Sequence, residues 1–573
     1  MPDKLNQYRL GSAPLPDHNT LWPLYGAGMD DLGLEGHSIQ LPMPSCGPDE
    51  LLVRHDACGL CFSDVKVIRL GPDHPRIYRD MRSEPVTLGH EVALTVVGVG
   101  QNLKGEYRVG DRFIIQADIF VNGVGYAYGY EIQGGLSQYG LIDRRVLDGD
   151  DGNYLIPVQP GTGYAEAALT EPWACVIAAY GLTYRTAVKP GGTAWIIGTA
   201  DAHQPGDQYT ISRGFGRDSH PSRLYLTAAP TAFAGWLARR ASALDIDLIH
   251  LPDLSVLPDV PVDDIIFLGS EAHAIERVSP CLADHGVLAL ISASPLPRKV
   301  AVDVGRIHYN RWLYIGGTDP DISVAYDRVP IRSSLRSRGT AWFVGAAGPM
   351  GRMHVQRAIQ SPDRPASLVC TDVSDARLAD LSASFSDEAR ANGVHMLCLN
   401  PLHRQRYAAA MAPFKAKGFD DIIVLAPVPS VIEDAAGYLA PRGVMNVFAG
   451  VARGTMVDLD LGQTYLSDTR VIGHSASTID DLRLMLSQAE SGQLSPNRSV
   501  AAIGSLAAAR NGLQAVEDAA FAGKIVIYPN IRDLPLTSLQ ELAESLPTVH
   551  ARLRSGREWT VEAEQELLRI MLP

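Results

Sequence analysis

One stretch of this chain occurs twice. Val262–Leu268 reads VDDIIFL and Phe419–Leu425 reads FDDIIVL. Gly286–Ala293 (GVLALISA) matches Gly443–Gly450 (GVMNVFAG), Val302–Gly305 (VDVG) matches Leu459–Gly462 (LDLG), and Ile315–Gly316 matches Ile472–Gly473. The separation holds at 157 residues (262 against 419) through Gly316 without a gap. Upstream, Thr193–Gly198 (TAWIIG) and Thr340–Gly345 (TAWFVG) follow the same order. Each copy alternates short apolar strands with helical stretches, which predicts βαβ units around a parallel sheet. Such a sheet is covered on both faces, so its strands read as nearly unbroken apolar runs. Two long copies are too few for a solenoid.

The remaining chain reads differently. Residues 1–180 are rich in Gly, Pro and short β-branched runs such as Glu91–Gly98 and Arg112–Gln116, the pattern of a barrel of short strands. Helical signals begin near Glu166. A chain of 573 residues predicts about three or four domains. We expect a β-barrel domain over 1–187, two copies of an α/β fold over 188–326 and 327–495, a return to the barrel over 496–530, and a helical C-terminal extension over 531–573. In that extension the spacing of Leu539, Leu542 and Leu546 suits an amphipathic helix. The net charge of −14 argues against nucleic acid or an anionic membrane as partner, while leaving room for a local basic pocket. The seven cysteines are odd in number and sparse, unlike a disulfide framework. There is no apolar signal core and no run of about 18 apolar residues, so the expected location is the cytoplasm.

The chemistry sits in four short motifs. Asp56–Asp64 reads DACGLCFSD, Leu88–Glu91 reads LGHE, Val96–Arg112 reads VVGVGQNLKGEYRVGDR, and Thr170–Pro172 reads TEP. In order and spacing they resemble the zinc-dependent medium-chain dehydrogenase/reductase family of alcohol and polyol dehydrogenases, except that Phe62 stands where the family has glycine. The resemblance implies a GroES-like barrel as catalytic domain and Rossmann folds for the two copies. It implies Cys61 and His90 as zinc ligands. Glu91 and Glu171 would be the acidic ligands, or one would be a ligand and the other would hold the zinc-bound water. A thiolate, an imidazole and a carboxylate suit zinc and leave a position open for substrate. Ser63 would relay the alcohol proton and Asp64 would support a ligand. Phe113–Tyr139, where many members carry a four-cysteine structural zinc, has no cysteine, so one zinc is expected. Cys58 is read as a small buried residue.

A dinucleotide site is expected in the second copy. Ala341–Gly351 reads AWFVGAAGPMG, an apolar strand running into Gly345, Gly348, Pro349, Met350 and Gly351 before a helical stretch. Glycines admit a pyrophosphate to the backbone, and a helix N-terminus favours its charge. Asp372, 21 residues after Gly351, is placed to bind ribose hydroxyls, which favours NAD. Ala346 departs from the strict glycine pattern, and Arg377 leaves room for NADP. The first copy lacks these parts. Gly198 is followed by TADAHQPGDQ, and Leu224–Ala229 ends without an acid, so it is read as not binding dinucleotide. Arg213, Arg217 and Arg223 are read as a solvated face. Asn446, Ser475 and Ser477 lie where strands of the second copy should end and are candidate nicotinamide or substrate contacts.

Further segments resemble the sorbose-1-phosphate reductase-like branch of the family: IQAD at 115–118, GYAYGYEIQGG at 125–135, EPWACVI at 171–177, AGPMG at 347–351 and the lead-in YDRVPIRSSLRSRG at 326–339. There the lead-in follows the Glu-Pro helix almost directly, so the first copy looks like an insertion. The branch implies a polyol, ketose or sugar-phosphate substrate. Two rivals are weighed. A zinc-independent enone or quinone reductase lacks the Cys and His-Glu ligands found here. A non-catalytic ligand-binding or sensor protein needs neither these ligands nor a glycine loop. Family members often dimerise through Rossmann edge strands, so the chain is expected to be a homodimer or a monomer with an internal pseudo-dimer.

Overall fold

A computed structural model describes residues 4–203, 208–327, 332–474 and 476–573. Its contacts divide the chain into two units. One comprises Met1–Ile177, Gly348–Met353 and Ser477–Pro573, the other Ala178–Ala347 and His354–Ala476. No helix among the described residues is long and apolar enough to cross a membrane.

The first unit is built on an eight-stranded sheet. Its central strand, Leu51–Gly59, is buried at every residue and pairs antiparallel with Glu91–Val99, Tyr139–Ile142 and Lys524–Tyr528. Segments from both ends of the sequence therefore meet at one strand. The C-terminal segment is fastened into this unit. Its helix Val561–Met571 carries Glu564, whose carboxylate accepts from the backbone N–H groups of Tyr164 (2.6 Å) and Ala165 (2.7 Å) and from the Tyr528 hydroxyl (2.8 Å). Those two N–H groups open the short helix Tyr164–Ala168 and have no partner within it, so Glu564 caps it from a distance. The expected helix around Leu539–Leu546 is broken up. Thr537–Ser538 joins the sheet beside Ala502 and Ile503, and only the turn Leu542–Ser545 is helical before Pro547.

Glu166 lies in the same short helix. Burial pushes its carboxyl from 4.5 up to about 7, with Glu564 and Glu490 adding to the rise against a backbone hydrogen bond from Gly163. A carboxyl raised on folding contributes stability that is complete below about pH 4.5 and is lost as pH rises through about 7. Glu166→Gln should therefore flatten the fall in stability between pH 5 and pH 8, read from thermal unfolding midpoints. An unchanged slope would contradict the assignment.

The second unit holds both copies, apart from Gly348–Met353. Each is a six-stranded parallel sheet whose strands, numbered within the copy, lie in the order 3-2-1-4-5-6 of a doubly wound Rossmann fold. The first runs Asp247–His250, Arg223–Thr227, Thr193–Gly198, Val262–Leu268, Leu282–Ile291, Leu313–Gly317. The second runs His395–Leu399, Ser367–Thr371, Thr340–Val344, Phe419–Val424, Leu439–Val447, Arg470–Ile472. The TAW motif has one job in both: the Trp195 indole donates to Thr227 Oγ1 (2.9 Å), and the Trp342 indole to Thr371 Oγ1 (3.0 Å).

The repeated Asp-Asp pair fastens each copy's lead-in. Arg185 reaches both carboxylate oxygens of Asp264 (2.9 and 3.0 Å), and the Lys189 N–H donates to Asp264 (2.9 Å). Arg332 pairs with Asp421, and the Arg336 N–H donates to Asp421 (2.8 Å). The first Asp of each pair accepts from the N–H that starts strand 1, Thr193 to Asp263 and Thr340 to Asp420, both at 2.9 Å. The sequences RTAVKPGGTAW and RSSLRSRGTAW are thus equivalent, and the repeat begins at Arg185 and Arg332.

This also explains where the units divide. Asn446 donates to Ala179 O, Ser333 to Tyr180 O, and Arg185 to Asp264, so the chain from 178 onward is held by the copies, ahead of the sequence boundary at 187. After 476 the chain returns to the first unit. There Gln116 donates to Ser477 O, and Glu490 accepts from Gln159 N.

The two copies form one body with a local two-fold pattern. Val300–Asp303 pairs antiparallel with Met456–Leu459, Val300 opposite Leu459 and Val302 opposite Val457. Under the 157-residue offset Val300 corresponds to Val457 and Val302 to Leu459, so the contact is self-complementary. A single buried cluster runs from Trp195, Phe267 and Leu288 through Val302 and Ile307 to Leu459, Met445 and Trp342.

Removing Asp421 leaves the largely buried Arg332 guanidinium without its carboxylate. Asp421→Ala should cost about 3 kcal/mol of unfolding free energy. Asp420→Ala, whose partners are more exposed, should cost less than about 1.5 kcal/mol. Denaturant titration of both variants checks the ranking.

Candidate functional site

The strand register assembles the metal-ligand candidates. Gly59 lies opposite Glu91. Cys61 follows Gly59 by two residues and His90 precedes Glu91 by one, so the two chain segments meet. One ligand atom each from Cys61, His90 and Glu91 lies within 4.8 Å of the others, and among the described residues this is the one such group.

Cys61 stands at the N-cap of the helix Phe62–Leu70. Its N–H donates to Asp64 Oδ2 (3.0 Å), and its side chain accepts from the Asp64 N–H, a capping box built on a thiol. The other Asp64 oxygen accepts from Gly89 N (3.2 Å) and His90 Nδ1 (3.1 Å). A carboxylate can only accept, so Nδ1 carries the proton and Nε2 is left to face a metal. Asp64 is fully buried and ties both ligand-bearing loops together. Burial lowers the basicity of His90, but Asp64 and then Cys61 outweigh it and hold the imidazole well above its usual range. The site favours a positive charge beside Asp64, which a divalent ion would supply in place of the proton.

Glu91 is held by a residue that the sequence reading did not single out. Lys524 Nζ donates to Glu91 Oε1 (2.5 Å) and to Leu60 O (2.7 Å), both in the interior. Burial alone lowers a lysine, but Glu91, then Cys61 and Glu171, hold this one above its usual range. Glu91 Oε2 is buried without a hydrogen-bond partner. An orphaned carboxylate oxygen beside a thiol and an imidazole fits a zinc donor set. A lone lysine at the head of the apolar run KIVIY was the available signal.

Glu171 stands outside that cluster. It is nonetheless close enough to feel the cluster's charges. Burial pushes its carboxyl from 4.5 to about 7, with His90 and Lys524 pulling down and Glu91 and Asp118 pushing up. Ser63 lies half-buried in the first turn of the Cys61 helix. Cys58 is fully buried and is not part of the cluster. The cysteine-free segment 113–139 is tied instead by Glu131, which accepts from Tyr78 N (2.6 Å) and from Arg79 Nε (3.1 Å).

The glycine loop of the second copy has the expected local form. Strand Thr340–Val344 ends at Gly345, whose φ of +81° suits glycine, and helix Pro349–Gln360 follows with proline at its first position. Met350 and Gly351 lie in its first turn. A Cβ added at Gly348 would meet no atom within 4 Å, so internal packing does not explain this glycine, while a pyrophosphate lying against the backbone would. Asp372 follows strand Ser367–Thr371, and its Oδ2 accepts from Ala347 N (3.2 Å). The carboxylate thus sits at the glycine loop. Arg377 lies in the next helix, Asp375–Ala391, and its N–H donates to Ser374 Oγ (3.3 Å).

The corresponding place in the first copy is filled from within. After Gly198 a single 3-10 turn, Ala200–His203, replaces the long helix. Asp201 occupies the turn, bonded to Thr199 and accepting from Ser270 N (2.9 Å) and Ser270 Oγ (2.6 Å). Arg213 pairs with Asp327 and Arg223 with Asp247 at the surface, and Arg217 is exposed. Asn446 is buried, with Nδ2 on Ala179 O (3.3 Å) and Oδ1 without a partner. Ser477 belongs to the first unit, near Cys175. Ser475 lies outside the described residues.

Known proteins agree with this architecture. Residues 47–148 match the family model described as the alcohol dehydrogenase GroES-like domain. Over almost the full length the chain is 24% identical to mannitol-1-phosphate 5-dehydrogenase of Aliivibrio fischeri, covering 92% of this chain and 93% of that one. It is 22% identical to L-sorbose 1-phosphate reductase of Klebsiella pneumoniae, covering 94% and 95%. The fold is that of 2R,3R-butanediol dehydrogenase from Bacillus subtilis, with a TM-score of 0.50 at 15% identity, covering 89% of this chain and 100% of that one. The chain thus carries a GroES-like domain of the alcohol dehydrogenase type and is similar over almost its full length to dehydrogenases and reductases. The two full-length relatives above are a polyol-phosphate dehydrogenase and a ketose-phosphate reductase, which supports an oxidoreductase.

Lys524→Met leaves the Glu91 carboxylate buried and unpaired. The variant should lose about 3 kcal/mol of unfolding free energy in the presence of a chelator. Denaturant titration against wild type measures it. A loss below about 0.5 kcal/mol would mean that Glu91 does not depend on the lysine.

Proposed function

We propose that the protein catalyses reversible oxidation of a secondary alcohol carbon in a polyol or sugar phosphate, with one zinc ion per chain and NAD as the redox partner. The Cys61/His90/Glu91 cluster, half-buried at the thiol and buried at the other two, with Asp64 orienting the imidazole, carries this reading. When bound, zinc would act as a Lewis acid toward the alcohol oxygen, and nicotinamide would exchange the hydride. Cys61, His90 and Glu91 would hold the metal. Asp64 keeps the proton on His90 Nδ1, so Nε2 stays available to it. Lys524 fixes one Glu91 oxygen and leaves the other to coordinate. Glu171, whose carboxyl burial raises to about 7, would hold or exchange a proton near the cluster, and Ser63 would relay the alcohol proton. Gly345, Gly348 and Gly351 would admit the pyrophosphate. Asp372 would receive the ribose hydroxyls and disfavour a 2′-phosphate, hence NAD over NADP.

The names of the full-length relatives support the substrate class. Asp201 supports the reading that the first copy takes no dinucleotide, since a fixed carboxylate stands where a pyrophosphate would need to lie. The self-complementary strand pair supports a monomer in which the two copies replace a dimer contact.

Metal analysis of purified protein should find close to one zinc per chain, and Cys61→Ser should lower it sharply. Polyols, ketoses and their phosphates tested with NAD and NADP should show turnover with NAD, highest for a phosphorylated substrate and abolished by chelation. Zinc far below stoichiometry with activity intact would sink the zinc reading. Light scattering at the dimer mass would sink the monomer.

A further inference from the structure

The first copy contributes a buried histidine to the second. The short helix Val304–Tyr309 follows the first copy's paired strand, and its His308 is buried. His308 Nδ1 donates to the carbonyl of Val447 (2.9 Å). Val447 is the last residue of strand Leu439–Val447, at the carboxyl edge of the second sheet, where doubly wound folds bind their ligands. The backbone of His308 also presses on the neighbouring strand end. A Cβ added at Gly473 would lie 2.8 Å from His308 Cα.

The packing of this contact is repeated in the other copy but its hydrogen bond is not: the counterpart of Val447 is Leu290, whereas Tyr465, the counterpart of His308, bonds Ser294. His308 corresponds to Tyr465 and Gly473 to Gly316 under the 157-residue offset. The Tyr465 hydroxyl donates to Ser294 O (2.6 Å), and a Cβ at Gly316 would lie 2.8 Å from Tyr465 Cβ. The two contacts are alike in packing but face different crevices. Tyr465 addresses the first copy, whose switch point is filled by Asp201. His308 addresses the second, which keeps its glycine loop.

We propose that His308 is a positioning residue of the second copy's dinucleotide site, acting through Val447. Asp372 marks the side of the sheet that takes the adenosine half. The other mononucleotide half then lies over the strands ending at Val424 and Val447. The hydrogen bond uses one lone pair of the Val447 carbonyl and fixes its direction at the strand end over which the nicotinamide half would lie. The degenerate copy is then part of the active crevice of its neighbour. The proposal rests on the reading that the second copy binds dinucleotide.

The test compares NADH with ADP-ribose, which lacks the nicotinamide, on the full-length zinc-loaded protein. Binding is measured by calorimetry and stability by thermal unfolding. His308→Phe and His308→Gln, which both remove the Nδ1 donor, should weaken NADH about tenfold and leave ADP-ribose within about twofold. His308→Asn, which restores a donor near that point, should recover most NADH affinity. Tyr465→Phe should lower the unfolding midpoint without moving NADH affinity. NADH binding unchanged in both His308 variants overturns the proposal, as does equal weakening of NADH and ADP-ribose or an equal effect from Tyr465→Phe. A wild type that binds neither ligand overturns the dinucleotide reading itself. Should His308→Phe fail to fold, His308→Gln decides by the same criteria.

Discussion

The antiparallel pair of Val300–Asp303 with Met456–Leu459 makes one body out of a tandem repeat. Each strand offers the same residues to its partner, so one short sequence written twice supplies both sides of the contact. The shared core from Trp195 to Trp342 closes around it. With that contact inside the chain, the first copy has a structural role whether or not it takes a dinucleotide: it covers a surface of its neighbour and supplies His308.

The candidate metal site Cys61/His90/Glu91 obeys a comparable economy. Asp64 closes the capping box under Cys61, accepts the Gly89 N–H and sets the tautomer of His90. One buried carboxylate therefore determines the geometry of two ligands. Lys524 does the same for the third, on a strand more than 400 residues away in sequence (Lys524 against Glu91). The ligands are short motifs, but the groups that aim them are dispersed.

That dispersal decides how much was legible. The Cys-Phe-Ser-Asp and Gly-His-Glu motifs are local, so Cys61, Asp64, His90 and Glu91 could be read directly. The parallel sheets of both copies followed from the alternation of strands and helices and from the repeat, their Rossmann form from the family resemblance, and the strand order only from the structure. The Asp-Asp pair was visible as text, yet its meaning needed the lead-ins, whose offset of 147 (185 against 332) differs from 157 because loop lengths differ between the copies. Lys524 and Glu564 were not legible as partners. A single charged residue in an apolar run has no periodicity, and its counterpart lies in another segment. The helix expected around Leu539–Leu546 failed because leucine spacing says nothing of a neighbouring strand that claims Thr537 and Ser538.

The cap that Glu564 places on the helix Tyr164–Ala168 has a consequence for biosynthesis. That short helix leads directly into Thr170–Ala178, which carries Glu171. On a ribosome the barrel strands emerge first, and both α/β copies follow before Lys524, Tyr528 and Glu564 exist. The central copies can complete their local βαβ contacts while the nascent chain is still growing. The first unit must wait, with Glu91 lacking Lys524 and the helix Tyr164–Ala168 lacking its cap, until the last segment joins the sheet.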